Sequence, residues 1–294
     1  MSVPVARSEA GHASGSASPP IPEDVRARLV CPTCRQALIW TNDAKSRCSQ
    51  CGVEYSVSNG AIDLRPAEFR ERKDFQDWEE HWSEGKQDSF AQRFFSFYRF
   101  AVFARTVAWH IDRFFPDRGV FVEAGSGTSE SSARIDKRGN ARTLVAVDLV
   151  HSVVAQAHPL MDVRVSADCF RLPFADASVD GLWNVGVMEH FTHDKIDEMM
   201  REFLRVLRPG APVLLLWPAT DSLPQKGLRT VEWVANTFTK RSSPLRFHPD
   251  EISKLHSSEE GRDVLRRNGF ESVFVDWGWR SLMAFKCVVG VRPA

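Results

Sequence analysis

Residues 120–148 read VFVEAGSGTSESSARIDKRGNARTLVAVD, and this stretch decides the fold. Val120–Ala124 is a short apolar run that stops at a Gly-Ser-Gly turn, and Thr143–Val147 is a second such run. Short apolar runs bounded by turn residues predict strands buried on both faces. A glycine turn after a strand, leading into a helix, brings backbone N–H groups close to a ligand, because a residue without Cβ permits close approach. A GxG alone also serves ordinary tight turns. Asp148 strengthens the reading, since a carboxylate closing the second strand can accept both hydroxyls of a ribose. Glu123, Gly125, Gly127 and Asp148 together point to an adenosine-containing cofactor.

Outward from this stretch, further apolar runs follow at Val163–Ala167, Val179–Val185 and Val213–Trp217. Strands alternating with helical stretches predict βαβ units, hence a mostly parallel sheet with helices on both faces. GRDVLRRNGF predicts a helix ending at Gly269, and Ser272–Val275 and Leu282–Val291 predict closing strands, the last antiparallel. An insertion at about 219–258 carries Trp233, Phe238, Phe247 and His248. A long aromatic loop is uncommon without a functional reason, so it is expected to cover a substrate.

The chain has 294 residues, 43% hydrophobic, which allows one large domain and a small one. Its 38 basic and 38 acidic residues cancel. That balance argues against a dedicated nucleic-acid binder, whose affinity rests on phosphate contacts. Residues 1–22, rich in Ser, Ala, Gly and Pro, predict a disordered tail without the apolar run of a signal peptide. No stretch approaches the ~18 apolar residues of a membrane span. The expected location is the cytoplasm.

Four of six cysteines form two CxxC pairs, Cys31/Cys34 and Cys48/Cys51, in CPTCRQALIWTNDAKSRCSQC. Paired thiolates at this spacing predict a tetrahedral Zn2+ site, and four cysteine ligands leave no open position, so the metal is structural. Residues 23–67 are therefore read as a zinc ribbon. Residues 68–118 are read as a helical linker or cap. Within it, a helix from Ser89 to Phe115 carries Phe90, Phe94, Phe97, Phe103, Val107, His110 and Phe114 at steps of three and four. Such a stripe predicts packing onto the main domain, with part of it available to wall an apolar pocket.

Residues 119–294 are read as one domain, and from about Phe121 to Val291 it resembles the class I S-adenosylmethionine-dependent methyltransferases, specifically the group with a type-11 methyltransferase domain. The run LPFADASVDGLWNVGVMEHF is the most specific match, and REFLRVLRPGAPVLLLWP matches the helix, turn and fifth strand. The resemblance implies a Rossmann-like sheet. It implies that Glu123, Gly125, Ser126 and Gly127 hold the amino-acid part of S-adenosyl-L-methionine, and that Asp148 with Leu149 holds the ribose. It also implies that Asp168 contacts the adenine amine beside Cys169, with Asn184 completing the site. Ser129 departs from the pattern, standing where many relatives have a third glycine. The cysteine segment through Arg65-Pro66 resembles the zinc-ribbon modules that partner or are fused to methyltransferases.

The implied partner is a small, partly apolar or aromatic methyl acceptor. His190 and His193 are the candidate general bases, needed only if the acceptor must lose a proton. Two other readings stand beside this one: a ribosomal- or transfer-RNA base methyltransferase, and a non-catalytic module that recruits a partner through the ribbon. The oligomeric state is not legible in the sequence.

Overall fold

The computed structural model describes residues 20–66, 99–220, 252–278 and 283–294. After a single helical turn α1 (Glu23–Arg26) come four short strands: β1 (Leu38–Asn42), β2 (Lys45–Cys48), β3 (Glu54–Ser58) and β4 (Ala61–Asp63). They pair antiparallel in sequence order. The β3–β4 connection is Asn59-Gly60, with φ of 50° and 81°. Positive φ at both central residues matches the right-handed twist of a tight hairpin.

The second part begins with a π-helical turn (Arg99–Phe103) that runs into α2 (Ala104–Phe114). There follow β5 (Gly119–Ala124), β6 (Arg142–Asp148), α3 (His151–Val154), β7 (Val163–Ser166), β8 (Gly181–Val185), α4 (His193–Val206), β9 (Pro212–Pro218), α5 (Ser258–Arg267), β10 (Glu271–Asp276) and β11 (Phe285–Val291). β7, β6, β5, β8 and β9 are joined by parallel pairings. β11 runs antiparallel to both β9 and β10. The expected strands, the antiparallel closing strand and the helix stop at Gly269 (φ +83°) are all present.

Alternate residues of these strands enter two apolar cores, one on each face. Val122, Val145 and Leu215 face one core, and Phe121, Leu144 and Leu214 face the other. α4 covers the first with Ile196, Met199, Met200, Phe203 and Val206. Their three- and four-residue steps lay one apolar stripe on the sheet. α2 covers the second, with Val107 and Ile111 buried. The aromatic stripe does pack: Phe103 meets Phe285 edge-on at 4.6 Å and Phe114 lies 5.3 Å from Phe274. Phe90, Phe94, Phe97 and most of the 219–258 insertion lie outside the described residues.

Two findings go beyond the sequence reading. Between β5 and β6 the only helical element among the described residues is a 3₁₀ turn, Glu130–Ser132, where a longer helix is expected after a glycine turn. Ser129 there adopts left-handed backbone (φ 56°, ψ 22°), and the Ser-rich segment has little propensity to extend a helix. The ribbon is also not a bead on a string. β4 pairs parallel with β7, Ile62 opposite Val165 and Asp63 opposite Ser166, so the strands of both parts form one sheet of eleven. Leu29, Leu38, Tyr55, Ile62 and Leu64 join the same core as Val147 and Val165.

Candidate active site and metal centre

The C-terminal ends of β5, β6 and β7 lie side by side, where open α/β sheets bind ligands. β5 ends in the glycine turn. Gly125 has φ +68°, and a Cβ there would come within 2.5 Å of Val187 Cγ2. Glycine is thus required twice over, by backbone and by neighbour. The Gly127 amide donates to Asp148 Oδ2 at 2.8 Å, and the Val150 amide donates to Oδ1 at 2.9 Å. Burial raises the Asp148 pKa above the usual carboxylate value, although these N–H bonds pull the other way. After β7, Asp168 Oδ1 accepts from the Phe170 amide at 3.0 Å. Burial pushes the neighbouring Cys169 thiol well above its ordinary value, with the Asp168 and Asp148 charges adding to the rise. A thiol held protonated is a poor nucleophile.

These residues wall one cleft of about 980 Å³ including its open mouth. Gly125, Ser126, Gly127, Asp148, Leu149, Asp168 and Cys169, all expected from the sequence, line it. So do Thr128–Ser131, Val150, Phe170, Val185–Val187 and Phe191, which sequence reasoning did not assign. The Ser-rich run after Gly127 and the strand-ending Val185-Gly186-Val187 were the available signals. Phe170 and Phe191 meet edge-on at 5.1 Å and make one end of the cleft aromatic.

Glu123 and Asn184 sit behind this lining. Glu123 is 1% exposed, and burial raises its pKa from 4.5 to about 7, only partly offset by Ser132, Ser129 and Trp183. Asn184 donates to the Ala124 carbonyl at 2.9 Å. Glu123 Oε2 and Asn184 Oδ1 are buried acceptors with no hydrogen-bond partner among the described residues. Buried acceptors are normally satisfied, so an orphaned pair behind a cleft suits a cationic ligand group. The histidines lie elsewhere. His190 closes the 3₁₀ turn Met188–His190, with Nε2 4.0 Å from Glu189 Oε1, and His193 is an exposed first residue of α4. Neither is among the cleft-lining residues.

The four ribbon cysteines converge on one point, and Cys31 and Cys48 belong to the shared core. Their Sγ atoms all lie within 4.8 Å of one another. Cys34–Cys48, Cys31–Cys51 and Cys34–Cys51 are 3.3, 3.6 and 3.7 Å apart. A tetrahedron with Zn–S bonds of ~2.3 Å has edges of about 3.8 Å, so the cluster fits that ion with little adjustment.

Residues 122–215 match the family model described as a methyltransferase domain. Among curated proteins, the chain is 32% identical over 109 residues to the biotin biosynthesis bifunctional protein BioHC of Cellvibrio japonicus, covering 35% of this chain and 21% of that one. It is 28% identical over 130 residues to an uncharacterized methyltransferase-like protein of Schizosaccharomyces pombe, covering 43% and 46%. The chain thus spans less than half the length of either relative. Among solved structures, magnesium protoporphyrin IX methyltransferase of Synechocystis aligns with a TM-score of 0.48 at 14% identity, covering 76% of this chain and 97% of that one. Residues 122–215 are thus similar to a methyltransferase domain, and a four-cysteine cluster precedes them.

Proposed function

We propose that this protein transfers a methyl group from S-adenosyl-L-methionine to a small, partly apolar or aromatic acceptor. The observation that carries the reading is the convergence of Gly125–Gly127, Asp148 and Asp168 on one cleft with an aromatic end. The cofactor supplies an activated methyl on a sulfonium, open to in-line displacement by the acceptor. Asp148 holds the ribose hydroxyls, kept in place by the Gly127 and Val150 amides. Asp168 takes the adenine amine, and Leu149 and Cys169 present apolar surface to the ring. The buried Glu123 carboxylate attracts the amino-acid ammonium through the glycine turn. Val187, Phe170 and Phe191 exclude water and seat the acceptor's apolar face. Positioning of this kind supplies most of the acceleration a displacement needs. In the ribbon, Cys31, Cys34, Cys48 and Cys51 hold a structural Zn2+.

The test is calorimetry with S-adenosylhomocysteine, followed by incubation with methyl-labelled cofactor and fractionated cell extract. Micromolar binding and label in a small-molecule fraction are expected. No binding at millimolar ligand overturns the reading. Label confined to RNA replaces the acceptor class with a nucleic acid, and His190→Gln with turnover intact removes that histidine as a base.

A further inference from the structure

The ribbon reaches the cleft through specific hydrogen bonds. Arg65, two residues past β4, donates from Nη1 to the Leu149 carbonyl at 3.2 Å. Its guanidinium is oriented by a two-point pair with Asp63, Nε to Oδ1 at 2.8 Å and Nη2 to Oδ2 at 2.7 Å. Leu149 lines the cleft directly after Asp148. On the same loop, His151 bridges the two parts: Nε2 lies 3.0 Å from Ser58 Oγ of β3, and Nδ1 lies 2.6 Å from Ser166 Oγ of β7. The loop after β7 is tied as well. Arg171, next to cleft-lining Phe170, donates to the Thr33 carbonyl between the first two cysteines at 3.2 Å, and the Val30 amide donates to the Pro173 carbonyl at 3.0 Å. The β4–β7 pairing adds a further tie, with Asp63 opposite the same Ser166.

We propose that Arg65 and His151 are positioning residues through which the ribbon sets the loop after β6, which would hold the ribose of the cofactor. This rests on the cofactor assignment above. Neither side chain is among those lining the cleft. Each acts through another group, Arg65 on the Leu149 backbone and His151 on the start of α3. Arg65 is held by a charge-assisted pair of fixed geometry, so it can fix a carbonyl where a lysine could not. The consequence is reciprocal. If the ribbon improves cofactor binding, bound cofactor must stabilise the ribbon by the same factor.

The experiment compares the full chain with Arg65→Ala, Ser58→Ala and a ribbon control, Arg47→Ala, whose guanidinium bonds the Gly52 carbonyl inside the ribbon. S-adenosylhomocysteine affinity is read by calorimetry well below the melting temperature, and cofactor KM and kcat are read in any turnover assay. Arg65→Ala is expected to weaken binding about tenfold and raise KM with kcat at saturation unchanged, since a hydrogen bond from a charged group contributes in that range. Ser58→Ala should weaken it less, and Arg47→Ala not at all. Arg65→Lys should recover little of the loss. A merely structural Arg65 would lower the melting temperature and leave affinity unchanged, which overturns the proposal. If Arg65→Ala does not fold, hydrogen exchange of the wild type decides: S-adenosylhomocysteine must slow exchange of the β3 and β4 amides, and unchanged rates overturn it. A wild type that binds no S-adenosylhomocysteine instead defeats the cofactor assignment, a result distinguishable from equal binding by wild type and variants.

Discussion

The Asp148 carboxylate accepts the Gly127 amide at 2.8 Å, which locks the end of β6 to the glycine turn after β5. Its other oxygen holds the Val150 amide, so one side chain organises both loops at the cleft's centre. Asp148→Ala leaves two buried N–H groups without an acceptor, at about 1–3 kcal/mol each. Asp148→Asn keeps one acceptor oxygen. The alanine variant should melt several degrees lower and bind no S-adenosylhomocysteine, while the asparagine variant folds and loses at least tenfold in affinity. Calorimetry beside thermal melts separates the two losses. Full affinity in Asp148→Asn would remove this carboxylate from the site.

Gly125→Ala has two separable defects. The positive φ costs an alanine about 1–2 kcal/mol. The contact with Val187 Cγ2 adds a clash that forces the Val187 side chain, two residues past β8, to shift. A double variant with Val187→Ala should recover stability in part but never fully, because the backbone strain remains. A double-mutant cycle by chemical denaturation measures the coupling, and strict additivity would show that the two residues do not touch.

Glu123 gives the fold a pH signature. Its native pKa of about 7 lies above the ordinary 4.5, so between those values the folded state binds the proton more tightly than the unfolded chain. Stability from this group is full below about pH 4.5 and is lost as pH rises through 7, a change of about 3 kcal/mol. Glu123→Gln removes the titration. Melting curves from pH 4.5 to 8.5 should show the variant gaining on the wild type as pH rises, and parallel curves would contradict the assignment.

Metal removal should damage more than the ribbon. Cys31 and Cys48 are in the same core as Leu172, Phe174 and Val165. One zinc per chain is expected by elemental analysis. A strong chelator, or Cys48→Ser, should lower the melting temperature of the whole chain in a single transition. Two independent transitions would mean that the ribbon folds apart from the sheet it joins.

Much of the architecture was legible because its determinants are local. Val120–Ala124 and Arg142–Asp148 are strands because their apolar runs end at turn residues. The cysteine pairs were legible as a cluster because two thiols on one tight turn already point the same way. The helix missing after Gly127 was not legible, since the left-handed Ser129 that stops it is a residue type found in many conformations. Glu123 and Asn184 were expected at the site from the sequence, but their burial behind the lining was not legible, because depth is a property of the packed sheet.

The sequence by itself determined the strand segments, the glycine turn, the acids at strand ends and the paired cysteines, each written in residues a few positions apart. Only the tertiary structure decided that Val187 abuts Gly125, that His190 and His193 stand outside the cleft lining, and that β4 extends the catalytic sheet beside β7. Those relationships join residues distant along the chain. They arise from burying both sheet faces at once, and a pairing chosen by packing leaves no mark on the local pattern of either partner.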